Sequence, residues 1–258
     1  MQIVLTVLGA YVGVCALLWA FQERLIFYPR SMGPAPPNPP AAPIDIPRGD
    51  AVLRGWVVNA ESDGPLIVYF GGNAEEVSRN THNWARRAAT TVLVNYRGYG
   101  ESTGKPGEAA LRGDAVAISE WARARFPERP LVLFGQSLGS GIAVLASPVV
   151  RPDALILISP YRSVEHIARR ALPIVPVRGL LRHRFAAETV VADLPRTLVF
   201  ASPQDEVIGF KENQAMVEAM NAAAKEPVEL RQFRLRHNQF LNHPPVWQAV
   251  DEFLETIR

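Results

Sequence analysis

The chain has 258 residues, 48% of them hydrophobic and 20% charged, with 27 Lys and Arg set against 25 Asp and Glu. A net charge of +2 with no basic stripe argues against a nucleic-acid partner. A single cysteine, Cys15, excludes an intrachain disulfide and a Cys-rich metal site.

The stretch from Ile3 to Phe21 carries no charge, and as a helix it spans roughly 29 Å, close to the hydrocarbon thickness of a bilayer. Trp19, Phe27 and Tyr28 stand where an interfacial aromatic belt stands. A cleaved signal peptide is the rival reading, but a basic n-region and a clear small-x-small cleavage site are both missing. Residues 1–30 are therefore expected to form a transmembrane anchor with its juxtamembrane segment. Arg24 and Arg30 follow the apolar run, which places the rest of the chain on the cytoplasmic side by the positive-inside rule. Next comes "PAPPNPPAAP" with six prolines, expected as an extended polyproline linker over 31–43.

Residues 44–258 read as one α/β domain. Strands are expected at 51–59, 66–70, 91–96, 131–134, 155–158, 197–201 and 228–235. Helices are expected at 75–88, 108–125, 138–145, 211–220 and 245–257. Apolar strands alternating with helices imply a mostly parallel sheet covered on both faces. Between Tyr161 and Pro195 lies an insertion of the kind that caps a site, short enough to suggest an open pocket. From Arg162 to Arg184 it holds six arginines and a single acid, Glu165, among apolar residues. That composition suits a segment resting on an anionic bilayer.

The run "VLFGQSLGSG" places Ser137 between Gly135 and Gly139, just where a strand gives way to a helix. Chance alone produces G-x-S-x-G about once per ten chains of this length. The strand–turn–helix setting is what makes it a nucleophile elbow. A serine hydroxyl needs a base, and that base an orienting acid, in the order Ser, acid, His. Of the five histidines, His237 and His243 follow the last strand, and His237 comes directly off it. Asp205 follows the penultimate strand, with Glu206 as the alternative acid. Backbone N–H groups of Asn73, in "FGGNAEE", and of Leu138 would form the oxyanion hole. Asn73 could also cap a following helix, with Glu76 at capping-box spacing.

The motifs "FQERLIFYP", "GGNAEE", "NYRGYGESTGKPGE", "GQSLGSG", "SPYRSV", "SPQDEVI" and "RHNQF" occur in the order of a known family. The chain resembles serine hydrolases of the α/β-hydrolase superfamily, in the N-terminally membrane-anchored subgroup that includes depalmitoylases and lysophospholipases. The resemblance implies the α/β-hydrolase fold and the triad Ser137, Asp205 and His237. It also implies that "NYRGYGES" shapes the loop beside the pocket. Gly71-Gly72 replaces the family's usual His-Gly, and Gln239 replaces its usual aspartate.

The expected activity is hydrolysis of an ester or thioester, on a lipid or an acylated protein, through an acyl-enzyme. The alternatives are an acyltransferase using the same residues and a non-catalytic scaffold that binds a partner. Neither a metal nor an organic cofactor is implied.

Overall fold

The computed structural model describes residues 1–29, 41–224 and 227–257. Eight strands form one sheet: β1 (Ala41–Arg48), β2 (Ala51–Val58), β3 (Leu66–Phe70), β4 (Thr90–Val94), β5 (Leu131–Gln136), β6 (Ala154–Ile158), β7 (Arg196–Ala201) and β8 (Glu229–Gln232). Their spatial order is β1-β2-β4-β3-β5-β6-β7-β8. The pairs β1–β2 and β2–β4 are antiparallel, and every pairing from β4 to β8 is parallel. The helices are α1 (Gln2–Ile26), α2 (Thr81–Trp84), α3 (Glu108–Arg125), α4 (Leu138–Val150), α5 (Val164–Ala171), α6 (Val177–Leu180), α7 (Phe210–Ala223) and α8 (Pro244–Glu255).

The central strands are buried on both faces, and their side chains alternate between two cores. Leu131 and Leu133 of β5 join α3, α4 and α7 on one side, whereas Val132 and Phe134 join Trp84 of α2 and Trp247 of α8 on the other. Trp84 stands edge-on to both Phe134 and Trp247, with ring centroids 5.0 and 4.9 Å away. This arrangement fixes β5 in the middle of the sheet, packed on both faces at the strand that leads into Ser137.

Several expectations differ from the structure. Residues 41–43, expected as linker, instead open β1, with Ala41 paired to Val58. Pro43 and Pro47 are tolerated there because β1 is an edge strand, with no partner on its outer side among the described residues. The sheet therefore begins before residue 44, and the rest of the proposed linker, 31–40, lies outside the described residues. The long helix expected over 75–88 shrinks to a 3-10 turn at Val77–Asn80 followed by the single turn α2. Ala74 has a left-handed φ of 62° and Glu76 is extended, so helical geometry cannot start earlier. Helix α4 continues past the expected end at 145 and through Pro148, carried by burial of Ala146, Ser147 and Val150.

Helix α1 is not separate from the rest. Gln22 is buried, donating through Nε2 to the Leu180 carbonyl at 3.1 Å and accepting through Oε1 from the Arg182 N–H at 2.7 Å. Further up the helix, the Tyr11 hydroxyl donates to the Ile174 carbonyl at 2.7 Å. Phe27 packs edge-on to His183 and Phe185. The cap, built from α5, α6 and a 3-10 turn at Ala187–Val190, thus leans on α1 from Tyr11 to its C-terminal end. Four of the six cap arginines that the sequence suggests for lipid contact are engaged within the protein: Arg162 pairs with Glu212 and Arg184 with Glu165. Arg170 donates to the carbonyls of Val207 and Ile208, and Arg182 sits over Trp19 and pairs with Glu23.

Candidate active site

Ser137 occupies the sharp turn between β5 and α4 with φ 51° and ψ −116°, a conformation that side-chain-bearing residues rarely adopt. The turn closes because its glycines have no Cβ. A Cβ on Gly139 would lie 2.0 Å from the Phe70 carbonyl oxygen, and one on Gly135 would lie 2.3 Å from that of Gly139. The Ser137 N–H donates to Ile158 O of the neighbouring strand at 2.9 Å, anchoring the elbow to β6.

The Ser137 hydroxyl is 2.9 Å from Nε2 of His237, and Nδ1 of His237 is 3.0 and 2.9 Å from the two carboxylate oxygens of Asp205. A proton on Nδ1 satisfies this chain: Nδ1–H donates to Asp205, and Oγ–H donates to Nε2. All three side chains are buried. The Asp205 Oδ1 also accepts the N–H groups of Val207 and Ile208, each at 2.9 Å. Burial by itself would raise the Asp205 carboxyl. The hydrogen bond and charge of His237, with the Ile208 N–H, outweigh it and bring the pKa down to about 2. Asp205 is therefore a permanent carboxylate at any ordinary pH.

The alternatives sit elsewhere. Glu206 accepts the backbone N–H of His237 at 3.2 Å and pairs with Arg236, so it steadies the loop without touching the ring. His243 packs edge-on to Phe233 and leads into α8.

Asn73 and Leu138 both border the space at Ser137. Neither backbone N–H has an acceptor among the described residues, as donors reserved for a ligand would be. The loop holding Asn73 is braced in a way the sequence reading missed. Glu75 accepts the Gly72 N–H at 2.6 Å, the Tyr69 hydroxyl at 2.9 Å and the Asn80 amide at 2.6 Å. Burial raises its pKa, against the lowering effect of those donors. Glu76, the expected capping-box partner, instead caps the 3-10 turn. The Asn73 side chain does not cap a following helix: it donates to the carbonyl of Ile26, the last residue of α1, at 2.7 Å and accepts from the Tyr28 N–H and the Tyr99 hydroxyl. Tyr96 donates to the Gly71 carbonyl at 2.7 Å. The "NYRGYGES" loop therefore buttresses this turn from behind. The available signal was a carboxylate three residues beyond Gly72.

Two cavities meet at Ser137. One, of about 390 Å³, lies between the cap and α1 and is lined almost wholly by apolar side chains, including Leu18, Leu25, Ile167 and Val175. The other, of about 470 Å³, is polar, with Glu76, Arg79, Asn80, Asn238 and Asn242 on its walls. The apolar cleft is larger than a short cap alone would make it, because α1 supplies one side.

Comparison with known proteins agrees with this architecture. The model of the family described as serine aminopeptidase, S33, matches residues 66–193. An uncharacterized protein of Mycobacterium tuberculosis is 31% identical over 228 residues, covering 83% of this chain and 79% of that protein. Zebrafish lysophosphatidylserine lipase ABHD12 is 32% identical over 119 residues, 42% of this chain and 31% of the lipase, so only about a third of that relative is matched. Among solved structures, the Pyrococcus furiosus esterase Pf2001 superposes with a TM-score of 0.72 at 18% identity, covering 89% of this chain and 99% of the esterase. Thermogutta terrifontis esterase 2 gives 0.67 at 20% identity over 86% and 96%. With the fold shared by these esterases and a relative matched over most of both chains, this chain belongs to the α/β-hydrolase superfamily and is a serine ester hydrolase.

Proposed function

We propose that the enzyme is anchored in a membrane by α1 and cleaves a long-chain acyl ester or thioester through Ser137, His237 and Asp205. One observation carries the reading: the Ser137 hydroxyl is hydrogen-bonded to His237 at the junction of an apolar and a polar cavity. An acyl chain fits the first, and a polar leaving group fits the second. Arg79, on the polar wall, has no acidic partner within ion-pair distance among the described residues. It suits an anionic head group, in keeping with the lysophosphatidylserine named for the zebrafish relative.

In this mechanism His237 takes the Ser137 proton as Oγ attacks the acyl carbonyl carbon, and Asp205 stabilises the imidazolium. The N–H groups of Asn73 and Leu138 receive the oxyanion, beside the positive end of α4. Collapse breaks the bond to the leaving group, which departs with the proton from His237. Water, deprotonated by the same histidine, then releases the free acid and restores Ser137.

Helix α1 is the one span among the described residues long and apolar enough to cross a bilayer. Arg24 and Arg30 after the apolar run favour a cytoplasmic catalytic domain. The test is fluorophosphonate labelling of the full chain together with an ester and thioester panel. Labelling lost in Ser137→Ala and release of free fatty acid are expected. A wild-type protein that neither labels nor hydrolyses any ester overturns the reading.

A further inference from the structure

Helix α1 carries two features that an anchor does not need. Its inward face lines the apolar cleft through Leu18, Gln22, Leu25 and Ile26, within the same cavity as Ser137. Its exit is tied to the loop bearing the Asn73 N–H, since the Asn73 side chain holds both Ile26 O and Tyr28 N–H.

The cap rises along this helix rather than stopping at its end. Polar contacts cluster at one level, where Arg182 meets Trp19 and Glu23 and where Gln22 bridges to Leu180 and Arg182. In a membrane such a belt belongs at the head groups. The Tyr11–Ile174 contact lies about 18 Å further along the helix, at 1.5 Å per residue, which is within the hydrocarbon of a bilayer about 30 Å thick. At that tip Ile174 is 79% exposed and Leu172 is 39% exposed. An exposed apolar tip held against an apolar helix is costly in water and favourable in lipid. Arg169 and Arg178 flank it on long stems that can carry their charge back toward the head groups.

We infer that α1 is a wall of the acyl-binding cleft and that the tip of the cap, Leu172–Val175, is immersed in the bilayer beside it. The substrate chain then passes sideways from the lipid layer to Ser137 without crossing water. This rests on the membrane-anchored hydrolase reading above and specifies where its substrate enters.

The test uses the full chain in phosphatidylcholine–phosphatidylglycerol nanodiscs. In a Cys15→Ser background, Ile174→Cys is labelled with nitrobenzoxadiazole. Quenching by lipids with a doxyl group on the acyl chain, and protection from aqueous iodide, are expected. Iodide quenching without doxyl quenching overturns immersion. Leu25→Trp should lower the ratio of palmitoyl to butyryl ester turnover by about tenfold or more, because it fills the cleft. An unchanged ratio overturns the role of α1. Fluorophosphonate labelling of the variant verifies that it folds, and Leu18→Phe serves if it does not. A wild-type chain that fails to label defeats the hydrolase reading itself, whereas a labelled variant with the wild-type ratio defeats only this one.

Discussion

The carboxylate of Glu75 accepts the backbone N–H of Gly72 at 2.6 Å, and so braces the turn that carries Asn73, whose N–H we propose as an oxyanion donor. The same carboxylate also takes the Tyr69 hydroxyl and the Asn80 amide, three donors on two oxygens. Glu75→Ala removes every acceptor and frees the turn. It should reduce kcat by roughly 10–100-fold, somewhat less than deletion of an oxyanion donor itself, with little change in KM. Glu75→Gln keeps one acceptor oxygen and should recover part of the loss. Equal kcat in all three proteins would remove Glu75 from the positioning of this loop.

Ser137→Ala and His237→Ala should each lower kcat by about 10⁴-fold or more, and the double variant should be scarcely worse, because members of a triad act as a unit. His243→Ala loses only an edge contact with Phe233 and should retain most activity. Single-turnover kinetics on a chromogenic ester distinguishes these. The reverse pattern would reassign the base.

Asp205 gives a signed pH dependence. Its folded pKa, about 2, lies below the ordinary 3.8, so its contribution to stability is present above about pH 3.8 and is lost as the pH falls through 2. Urea melts between pH 5 and 2 should show that acid-labile component in the wild type and a flatter profile in Asp205→Asn. That variant should also lose most turnover at neutral pH, since the His237 tautomer is no longer fixed. Parallel stability profiles would show that the carboxylate is not held as its hydrogen bonds suggest.

Gly139→Ala tests the elbow. The new methyl would sit 2.0 Å from a backbone oxygen that cannot rotate away. Overpacking of this kind costs about 1–3 kcal/mol, which corresponds to roughly 2–4 °C in Tm per kcal/mol for a chain of this size. Separation of α4 from β3 should also reduce fluorophosphonate labelling. A variant with unchanged Tm and labelling would mean the elbow has slack that its geometry does not show.

Much of this was readable from residue order alone. The glycine–serine elbow sits between a continuous apolar run and a helix, and Asp205 and His237 follow β7 and β8, so chain order sufficed to nominate the residues the structure brings together. Helix α3 was legible to its end residues, because its apolar spacing is regular and Gly107 and Phe126 bound it. What escaped were features set by tertiary contact. Pro43 argued against a strand until β2 offered an edge. Glu75 looked helical by propensity, but its carboxylate is claimed by Gly72, Tyr69 and Asn80. The role of α1 was hidden because its apolar residues satisfy a bilayer and a protein cleft equally well. Gln22, a polar residue buried near its end, was a sign that a face was already taken.

The clasp between α1 and the cap also orders events during synthesis. Gln22 and its partners Leu180 and Arg182 are far apart in the chain. At roughly 5–20 residues per second, the helix leaves the ribosome on the order of 10 s before the cap exists. During that interval the face bearing Leu18, Gln22 and Leu25 has only lipid, translocation machinery or chaperone to cover it. The hydrolytic site therefore matures late: the cap residues that close the cleft, and then Asp205 and His237, are all made long after α1.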